Sequence, residues 1–404
     1  MTSSLAGQLP PDRAGALRAP APASHYPWLV ADIGGTNARF GWVAGPGAPV
    51  SHARKLPVAA HAGPVQAVQA YLAERAGQPD ADRRTPRHAA FAVATAVVGD
   101  RVAFTNSRWN FSRREAQAAL GLDSLLMLND FESLALALPR LGTAQLRAHA
   151  ERLPGAGGLL AVVGPGTGLG VAAVVQTGHG WLALPGEGGH ATLAPADDLE
   201  SALLARVRQR HGHVSAERLL SGTGLPVLHR ALGEVLGEAP GLLGPALGAA
   251  EIIEGALRGH DALCGQTIDL FCALLGGFAG NVALTLGSRG GVYIGGGIVP
   301  RFADRFFASA FRPRFEAKGR FQGYLAAIPT ALITDTLAAL SGAALAIEQH
   351  LEQPAIQPAL QPAVQPAEQP AEQPAEPPAE QPSVQRAGPA GSAGRRTLGG
   401  GDLS

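Results

Sequence analysis

Two glycine-rich turns, each set between two apolar segments, constrain this chain more than any other feature. In the first, an apolar run from Leu29 ends in Asp-Ile-Gly-Gly-Thr-Asn at residues 32–37, and a second run begins at Phe40. In the second, residues 160–163 lead into Gly-Pro-Gly-Thr-Gly-Leu-Gly at residues 164–170. Glycine tolerates positive φ and lets a ligand approach the backbone closely, and successive turn N–H groups bind anions. We therefore expect two hairpin turns that grip one polyphosphate, which favours an enzyme over a scaffold.

Apolar segments of strand length alternate with helical patterns through the middle of the chain, which is typical of α/β layers. The predicted strands are Trp28–Asp32, Ala38–Ala44, Ala89–Val98, Leu125–Leu128, Leu159–Val163, Leu169–Gln176, Val292–Ile294 and Ala331–Ile333. The predicted helices include Pro64–Ala76, Phe131–Leu138, Leu199–Arg210, Thr267–Leu286 and Leu337–His350. Because the two glycine hairpins look like the openings of two related halves, the pattern predicts two lobes with a cleft between them.

Composition narrows the class of protein. The chain has 404 residues, enough for two domains and appendages, and its 32 basic residues equal its 32 acidic residues. This balance argues against nucleic acid or an acidic membrane as a partner. Cys264 and Cys272 are the only cysteines, and both lie in an apolar helical pattern. We expect buried, reduced thiols rather than a disulfide or metal site, and a cytoplasmic location.

Both ends of the chain are predicted to be disordered extensions, over residues 1–27 and 352–404. Proline recurs at every fourth position from Pro354 to Pro382, in repeats of Gln-Pro-Ala. Proline at this spacing prevents a helix, and the segment has too few apolar side chains for a core. A solvated linker is the simpler interpretation, and a proline-rich docking ligand is the alternative.

The first turn carries candidate ligands for a phosphate and a cation. Asp32 ends an apolar strand beside Gly34 and Gly35, where a carboxylate can hold Mg²⁺ directly or through water. Thr36 and Asn37 can donate hydrogen bonds to phosphate oxygens. The alternative is an ordinary tight turn stabilised by Asp and Asn side chains.

Four further segments offer chemical groups. Asn129 and Asp130 follow a predicted strand and begin a predicted helix, which suits either a helix cap or a catalytic position at a strand end. Glu187 and His190 lie among glycines, where a carboxylate and an imidazole can bind neighbouring hydroxyl groups of a polyol. Glu217 follows His-Val-Ser-Ala and, by itself, is more typical of a surface helix. The glycines at 295–297 follow a short apolar strand and could face a flat ring or simply connect a strand to a helix.

Taken in order, these motifs resemble the bacterial ATP-dependent glucokinases of the hexokinase and actin-like ATPase superfamily. The resemblance extends from about Trp28 to Gln353 and is carried by the segments at residues 32–39, 128–131, 166–172, 184–190, 213–218, 295–301 and 318–321. It implies a two-lobed α/β fold of the ribonuclease H-like type. The small domain would comprise residues 28–140 and 334–351, and the large domain residues 141–333.

The resemblance also implies roles for individual residues. Asp130 would be the catalytic base in the transfer of phosphate from ATP to D-glucose. The sugar-binding residues would be Asn129, Glu187, His190 and Glu217. The nucleotide-binding residues would be Ala31, Asp32, Ile33, Gly34, Gly35, Thr36, Asn37, Gly166, Thr167, Gly168, Gly295, Gly296 and Gly297. Mg²⁺ would be the cofactor, and a homodimer is implied.

Departures from the family pattern leave two alternatives open. The loop at residues 94–100, which lines the sugar side in relatives, lacks a proline that they often carry, so another hexose stays possible as the acceptor. Another phosphoryl donor in place of ATP is a further alternative within the same fold. A sugar-responsive regulator of transcription is disfavoured because residues 1–26 contain no helix-turn-helix pattern. The cysteine-rich zinc motif of related kinases and repressors is missing, so we expect no structural zinc, and Cys264 and Cys272 are not expected to replace it.

Overall fold

A computed structural model describes residues 25–78, 82–104, 107–150, 152–155, 157–237, 246–259 and 261–352. Residues 1–24 of the predicted N-terminal extension and residues 353–404 of the predicted tail lie outside the described residues. The described segments up to Glu352 belong to one compact unit.

The strands in these ranges, in chain order, are β1 (Trp28–Ile33), β2 (Asn37–Val43), β3 (Ser51–Pro57), β4 (His88–Val93), β5 (Arg101–Ala103), β6 (Asn110–Ser112), β7 (Ser124–Asn129), β8 (Leu146–Ala148), β9 (Leu160–Pro165), β10 (Leu169–Thr177), β11 (Gly180–Gly186), β12 (Gly291–Ile294) and β13 (Thr330–Ile333). The helices are α1 (Pro64–Ala76), α2 (Arg113–Ala119), α3 (Asp130–Ala137), α4 (Asp198–Arg208), α5 (Leu225–Val235), α6 (Ala249–Arg258), α7 (Ala262–Leu286), α8 (Ala303–Ala308), α9 (Phe311–Glu316), α10 (Gln322–Ala326) and α11 (Ala338–Glu352). The mixed α/β class predicted from the sequence is confirmed.

The first sheet carries the first glycine turn. Its strands lie in the order β3-β2-β1-β4-β7, with β1 antiparallel to β2 and parallel to β4, and β4 parallel to β7. Ile33, Val93 and Asn129 are aligned across β1, β4 and β7, at the carboxyl ends of all three strands. Asn129 is therefore only two strands, or about 10 Å, from the start of the first turn. A small hairpin of β5 and β6 is separate from this sheet.

The second sheet carries the other two glycine segments. Its strands lie in the order β11-β10-β9-β12-β13-β8, with β9 and β10 forming the predicted antiparallel hairpin. Strand β12 pairs parallel with β9, so the glycines after β12 emerge beside the turn between β9 and β10. Strands β3, β8 and β11 were not predicted. They lie at sheet edges, where one side of the backbone is unpaired and the sequence need not be apolar.

One predicted strand is too long. The pattern predicts a strand over Ala89–Val98, whereas β4 ends at Val93. Beyond that point the Ala94 amide donates to the Ile33 carbonyl, and the Thr95 amide turns back to the Val93 carbonyl. The apolar residues after Val93 therefore lie in a loop at the end of the sheet.

The last helix returns to the first half of the chain. Helix α11 packs against α3 and against β1 and β4. The two helices approach so closely that a Cβ on Gly342 would overlap the carbonyl oxygen of Ser133, and Ser133 Oγ donates to the Ala339 carbonyl at 2.8 Å. This placement is compatible with a small domain that includes residues 334–351. The division of the chain into two domains nevertheless stays a prediction.

Helix α7 is long and apolar enough to cross a membrane by length and composition alone. Within its most apolar window, however, 67% of the helix is buried inside the structure. It packs against α5, α6 and α9 and carries Phe271, Cys272 and Phe278 into the core. These contacts are typical of the core helix of a globular protein. Both cysteines are buried free thiols, as the sequence predicts.

Candidate active site

The first turn places an acidic side chain at the end of β1. Asp32 lies opposite Arg39 in the β1–β2 register, and Arg39 Nη1 donates to Asp32 Oδ2 at 2.9 Å. Burial raises the pKa of Asp32, and the Arg39 guanidinium opposes that rise. The turn itself is closed by a hydrogen bond from the Gly34 amide to the Asn37 carbonyl at 3.0 Å. Thr36, at its tip, is exposed.

Three glycines of the second turn, Gly164, Gly168 and Gly170, are required by close packing rather than by positive φ. A Cβ on Gly164 or Gly170 would overlap the aromatic ring of Phe131, the second residue of α3. A Cβ on Gly168 would overlap Glu217 Oε2. The turn is closed by a hydrogen bond from the Gly166 amide to the Gly168 carbonyl at 2.8 Å. The second turn is thus pressed between the start of α3 and Glu217.

The third glycine segment packs onto the second turn. Gly296 has φ +77°, a left-handed conformation that favours glycine, and a Cβ there would also overlap the Pro165 carbonyl oxygen. The Ile298 amide donates to that same carbonyl at 3.2 Å. Gly295 is buried, whereas Gly296 and Gly297 are exposed. Residues 166–168 and 295–297, predicted to bind one nucleotide, therefore lie side by side.

Of the two residues at the start of α3, Asn129 provides the helix cap. Asn129 is the cap of α3, because its Oδ1 accepts from the amides of Phe131 and Glu132 at 2.9 and 3.3 Å. Its Nδ2 faces the Thr95 carbonyl at 3.4 Å. Asp130 is the first residue of the helix and does not provide the cap.

The carboxylate of Asp130 is strongly perturbed by its surroundings. Its pKa is raised to about 6, chiefly by burial, then by the negative charge of Asp32 and, to a smaller degree, by that of Glu187. The backbone amide of Phe131, which donates to Asp130 Oδ1 at 2.9 Å, lowers the pKa but does not offset the burial. Three carboxylates from distant parts of the sequence therefore interact at the start of α3.

Three of the four predicted sugar-binding residues, Glu187, His190 and Glu217, also come together. His190 Nε2 is 4.0 Å from Glu187 Oε2, and His190 Nδ1 is 3.9 Å from Glu217 Oε1. Glu217 is not on a surface helix, since its Oε2 accepts from the Leu169 amide at 2.8 Å and its own amide donates to the Gly189 carbonyl. The imidazole thus stands between two carboxylates, with Glu217 held by the backbone of the second turn.

Two contributing residues were missed in the sequence. Arg39 neutralises part of the charge of Asp32, and Phe131 presses the start of α3 against Gly164 and Gly170. The role of Arg39 could have been predicted from the sequence. Asp32 and Arg39 lie at equal distances from the centre of the turn, so a hairpin places them opposite each other, and their opposite charges attract. The role of Phe131 could not have been predicted, because its contact with Gly164 and Gly170 joins residues that are far apart in the chain.

The fold is that of the glucokinase class of sugar kinases. The crystal structure of a glucokinase from an Antarctic psychrotroph has a TM-score of 0.71 and 36% sequence identity, and the alignment covers 80% of this chain and 98% of that chain. The fold also matches a ROK-family glucokinase from Streptomyces griseus, solved with glucose and AMPPNP. That match has a TM-score of 0.54 and 19% identity and covers 80% of this chain and 100% of the other.

Sequence comparison is more specific. The model of the glucokinase family matches residues 29–350. The glucokinase of Neisseria meningitidis serogroup C is 46% identical over 326 residues, which is 81% of this chain and 96% of that protein. The chain belongs to the glucokinase family, and it is an enzyme of that kind, which transfers phosphate from ATP to glucose.

Proposed function

We propose that this chain transfers the γ-phosphoryl group of ATP to the 6-hydroxyl of D-glucose, with Asp130 as the general base. The observation that carries the proposal is the position and pKa of Asp130. Its carboxylate lies at the start of α3, interacts with Asp32 and Glu187, and has a pKa of about 6. A base with that pKa is ionised at neutral pH and is closer in basicity to the group it serves than an ordinary aspartate.

Asp130 acts during bond formation. A sugar hydroxyl is too weak an acid to ionise at neutral pH, so its proton passes to the carboxylate as the oxygen bonds to the γ-phosphorus. Transfer has a loose transition state, and alignment and charge neutralisation supply most of the rate. The close packing of Phe131 against Gly164 and Gly170 supports this role, because it fixes the start of α3 against the second turn.

Three glycine segments would hold the nucleotide. We assign the phosphates to residues 31–37 and 166–168 and the adenosine to residues 295–297. The exposure of Gly296 and Gly297 beside the second turn supports the last assignment. The negative charge of Asp32 raises the pKa of Asp130, which supports a first turn that lies close to the proposed base.

The donor set at the end of β1 fits a magnesium ion. Carboxylate oxygens are the ligands that Mg²⁺ prefers, and Asp32 provides them at the first turn. When bound there, the ion would neutralise charge on the phosphate oxygens. Asp32 would hold it, directly or through water, while Arg39 orients the Asp32 carboxylate through its hydrogen bond to Oδ2.

Sugar recognition is assigned to Asn129, Glu187, His190 and Glu217. The exposed Glu187 and His190 can meet a ligand without rearrangement of the core, and their side chains are 75% and 62% exposed. Glu217 Oε2 is engaged by the Leu169 amide, which leaves Oε1 for a hydroxyl group. Asn129 Oδ1 is engaged by the α3 cap, so Asn129 would act through Nδ2 as a donor.

The wider setting is also proposed rather than observed. We infer that the enzyme serves glycolysis in the cytoplasm as a homodimer, with glucose as its partner and without nucleic acid or membrane. Two lobes would close on the substrates and exclude water, which otherwise competes as phosphoryl acceptor. Free buried thiols support a reducing compartment.

The direct test is Asp130→Ala, assayed with ATP, Mg²⁺ and glucose. We expect kcat to fall by about 100- to 10,000-fold, because the base is removed. Glucose binding, measured by calorimetry, should stay detectable. Turnover close to that of the wild type would refute Asp130 as the base. A panel of hexoses and phosphoryl donors in the same assay separates glucose from another acceptor, and ATP from another donor.

A further inference from the structure

A mixed cluster of metal-ligating side chains lies away from the proposed active site. His229 of α5, Asp261 at the cap of α7 and Cys264 in the first turn of α7 each offer one ligand atom, and these atoms lie within 4.8 Å of one another. His229 and Cys264 are 7% and 1% exposed, whereas Asp261 is exposed. Helix α5 thus supplies an imidazole, and the start of α7 supplies a carboxylate and a thiol, to one point.

The spacing of the two buried ligand atoms matches a tetrahedral metal site. Cys264 Sγ is 3.7 Å from His229 Nε2. A sulfur and a nitrogen bound to one zinc ion at about 2.3 and 2.0 Å, with a tetrahedral angle, lie about 3.5 Å apart. The ion would therefore fit between these two atoms with little movement of α5 or α7.

The neighbouring helix α6 packs closely against the thiol, at a residue that has no side chain. Gly255 of α6 faces the cluster, and a Cβ there would stand 3.0 Å from Cys264 Sγ and 3.6 Å from the Cβ of Asp261. Asp261 is also well placed by its capping hydrogen bond, in which its Oδ1 accepts from the Cys264 amide at 2.9 Å. The carboxylate is thereby oriented toward the side chain of the residue that it caps.

We propose that His229, Asp261 and Cys264 bind one transition-metal ion of the zinc class, with solvent as the fourth ligand. A thiolate, a carboxylate and a neutral imidazole together balance a divalent cation, so the occupied site has no net charge to bury. Mixed sulfur, nitrogen and oxygen ligands suit zinc better than the hard cation Mg²⁺. The ion would tie α5 to the start of α7. This proposal replaces the sequence-based expectation that Cys264 takes no part in a metal site.

A reactive cysteine is the less suitable interpretation of the same residues. Burial, with Asp261 beside it, raises the pKa of the Cys264 thiol to about 12, which is the opposite of what a nucleophile needs. A metal ion would displace the thiol proton on binding.

The test uses the untagged full-length chain, freed of metal with a chelator and titrated with Co²⁺. Cobalt bound to a thiolate gives a charge-transfer absorption band in the near ultraviolet, and oxygen ligands alone do not. We expect the band to saturate at one ion per chain and to disappear when Zn²⁺ is added. No band in the wild type would overturn the proposal.

Cys272 provides a matched control, because it is buried on the same helix but is not part of the cluster. Cys272→Ser should keep the cobalt band, and Cys264→Ser should lose it. Retained phosphotransfer activity shows that each variant is folded. If Cys264→Ser does not fold, His229→Gln, which keeps the thiol and removes one ligand, should weaken cobalt binding at least tenfold. Unchanged cobalt binding in Cys264→Ser or in His229→Gln would overturn the proposal.

Stability gives a second readout. At free Zn²⁺ 100 times its Kd, the folding equilibrium constant should rise about 100-fold in the wild type and in Cys272→Ser. Cys264→Ser should show no zinc-dependent rise in unfolding temperature. An equal rise in all three proteins would mean that zinc binds elsewhere, and the assignment would be wrong.

Discussion

At the scale of single residues, the charge of Asp130 connects the proposed chemistry to stability. Its pKa of about 6 reflects burial and two acidic neighbours, so the folded protein holds this carboxylate ionised at a cost. A residue kept in an unfavourable state in the folded protein is typical of a functional site. Two predictions follow from this one property.

The rate should depend on pH through Asp130. As pH falls through about 6, the base becomes protonated, so kcat/KM should drop tenfold for each further pH unit. Asp32→Asn removes the second largest cause of the raised pKa and should move this limb of the profile to lower pH in the remaining activity. An unchanged midpoint in Asp32→Asn would contradict the coupling between the two carboxylates.

Asp130→Asn should stabilise the protein at neutral pH while removing activity. The pKa of Asp130 is higher in the folded chain than the ordinary 3.8, so ionisation opposes folding above that value. We expect the variant to gain about 1–3 kcal/mol in free energy of unfolding at pH 7.5. The gain should shrink as pH falls through 6 and vanish below about 4, where the aspartate is protonated in both states.

Asp197→Asn is the control of opposite sign. The Glu200 amide and the Arg314 guanidinium lower the pKa of Asp197, so its charge favours folding at neutral pH. Denaturant unfolding at pH 7.5 should therefore show a loss in Asp197→Asn. A loss of stability in Asp130→Asn as well as in Asp197→Asn would contradict the prediction that the buried charge of Asp130 destabilises the folded protein.

At the scale of secondary-structure elements, the hairpin of β9 and β10 is the element that locates the start of α3. Phe131 lies across the hairpin at Gly164 and Gly170, and Glu217 holds its turn from the other side at the Leu169 amide. A Cβ at either glycine would overlap the Phe131 ring and push the start of α3 away. The hairpin therefore sets where Asp130 stands.

Gly170→Ala tests this element. Its Cβ would overlap the Phe131 ring, so we expect a loss of about 1–3 kcal/mol in stability and a fall in kcat larger than the rise in KM for ATP. Gly178→Ala is the matched control near the other end of β10, because a Cβ there has no atom within 4 Å. The measurements are steady-state kinetics and thermal unfolding of both variants. Equal changes in kcat and in stability would show that the contact between residue 170 and the Phe131 ring is unimportant.

At the scale of the whole molecule, helix α11, at the end of the described residues, packs against the first sheet and α3, which are formed by the first part of the chain. Helix α11 packs on α3, β1 and β4, and Arg140 Nη2 is 2.7 Å from Glu348 Oε2. Gln145 Nε2 donates to Asp335 Oδ2 at 2.5 Å, where the chain passes to and from the second sheet. Ser133 of α3 thus bonds to a residue 206 positions further along the chain, and β1 and β4 of the first sheet pack against the same helix α11.

Gly342→Ala should reveal this dependence. Its Cβ would overlap the Ser133 carbonyl of α3, so we expect a destabilisation of about 3 kcal/mol or more, measured by denaturant unfolding, and lower kcat in the folded fraction. Gly277→Ala, in the middle of α7, meets no atom within 4 Å and should be neutral or stabilising by up to about 1 kcal/mol. Similar losses in both variants would indicate that the α3–α11 contact is not special.

Much of the architecture was readable from local patterns. The hairpins, helix α1 and the capped start of α3 follow from apolar periodicity, glycine and an Asn before a helix, and these signals act over a few residues. Polar edge strands such as β3 and β11 escaped prediction because they carry no buried apolar pattern, and it is pairing with the neighbouring strands β2 and β10 that forms them.

By itself, the sequence determined the α/β class, the glycine turns and the set of residues that resemble glucokinases. Only the tertiary structure decided that Asp130 has a pKa of about 6, that Glu217 braces the second turn, and that Cys264 meets His229 and Asp261. Turn and helix signals arise between neighbours in the chain. Burial and charge interactions depend on distances through space, and these are set by elements that lie far apart in sequence.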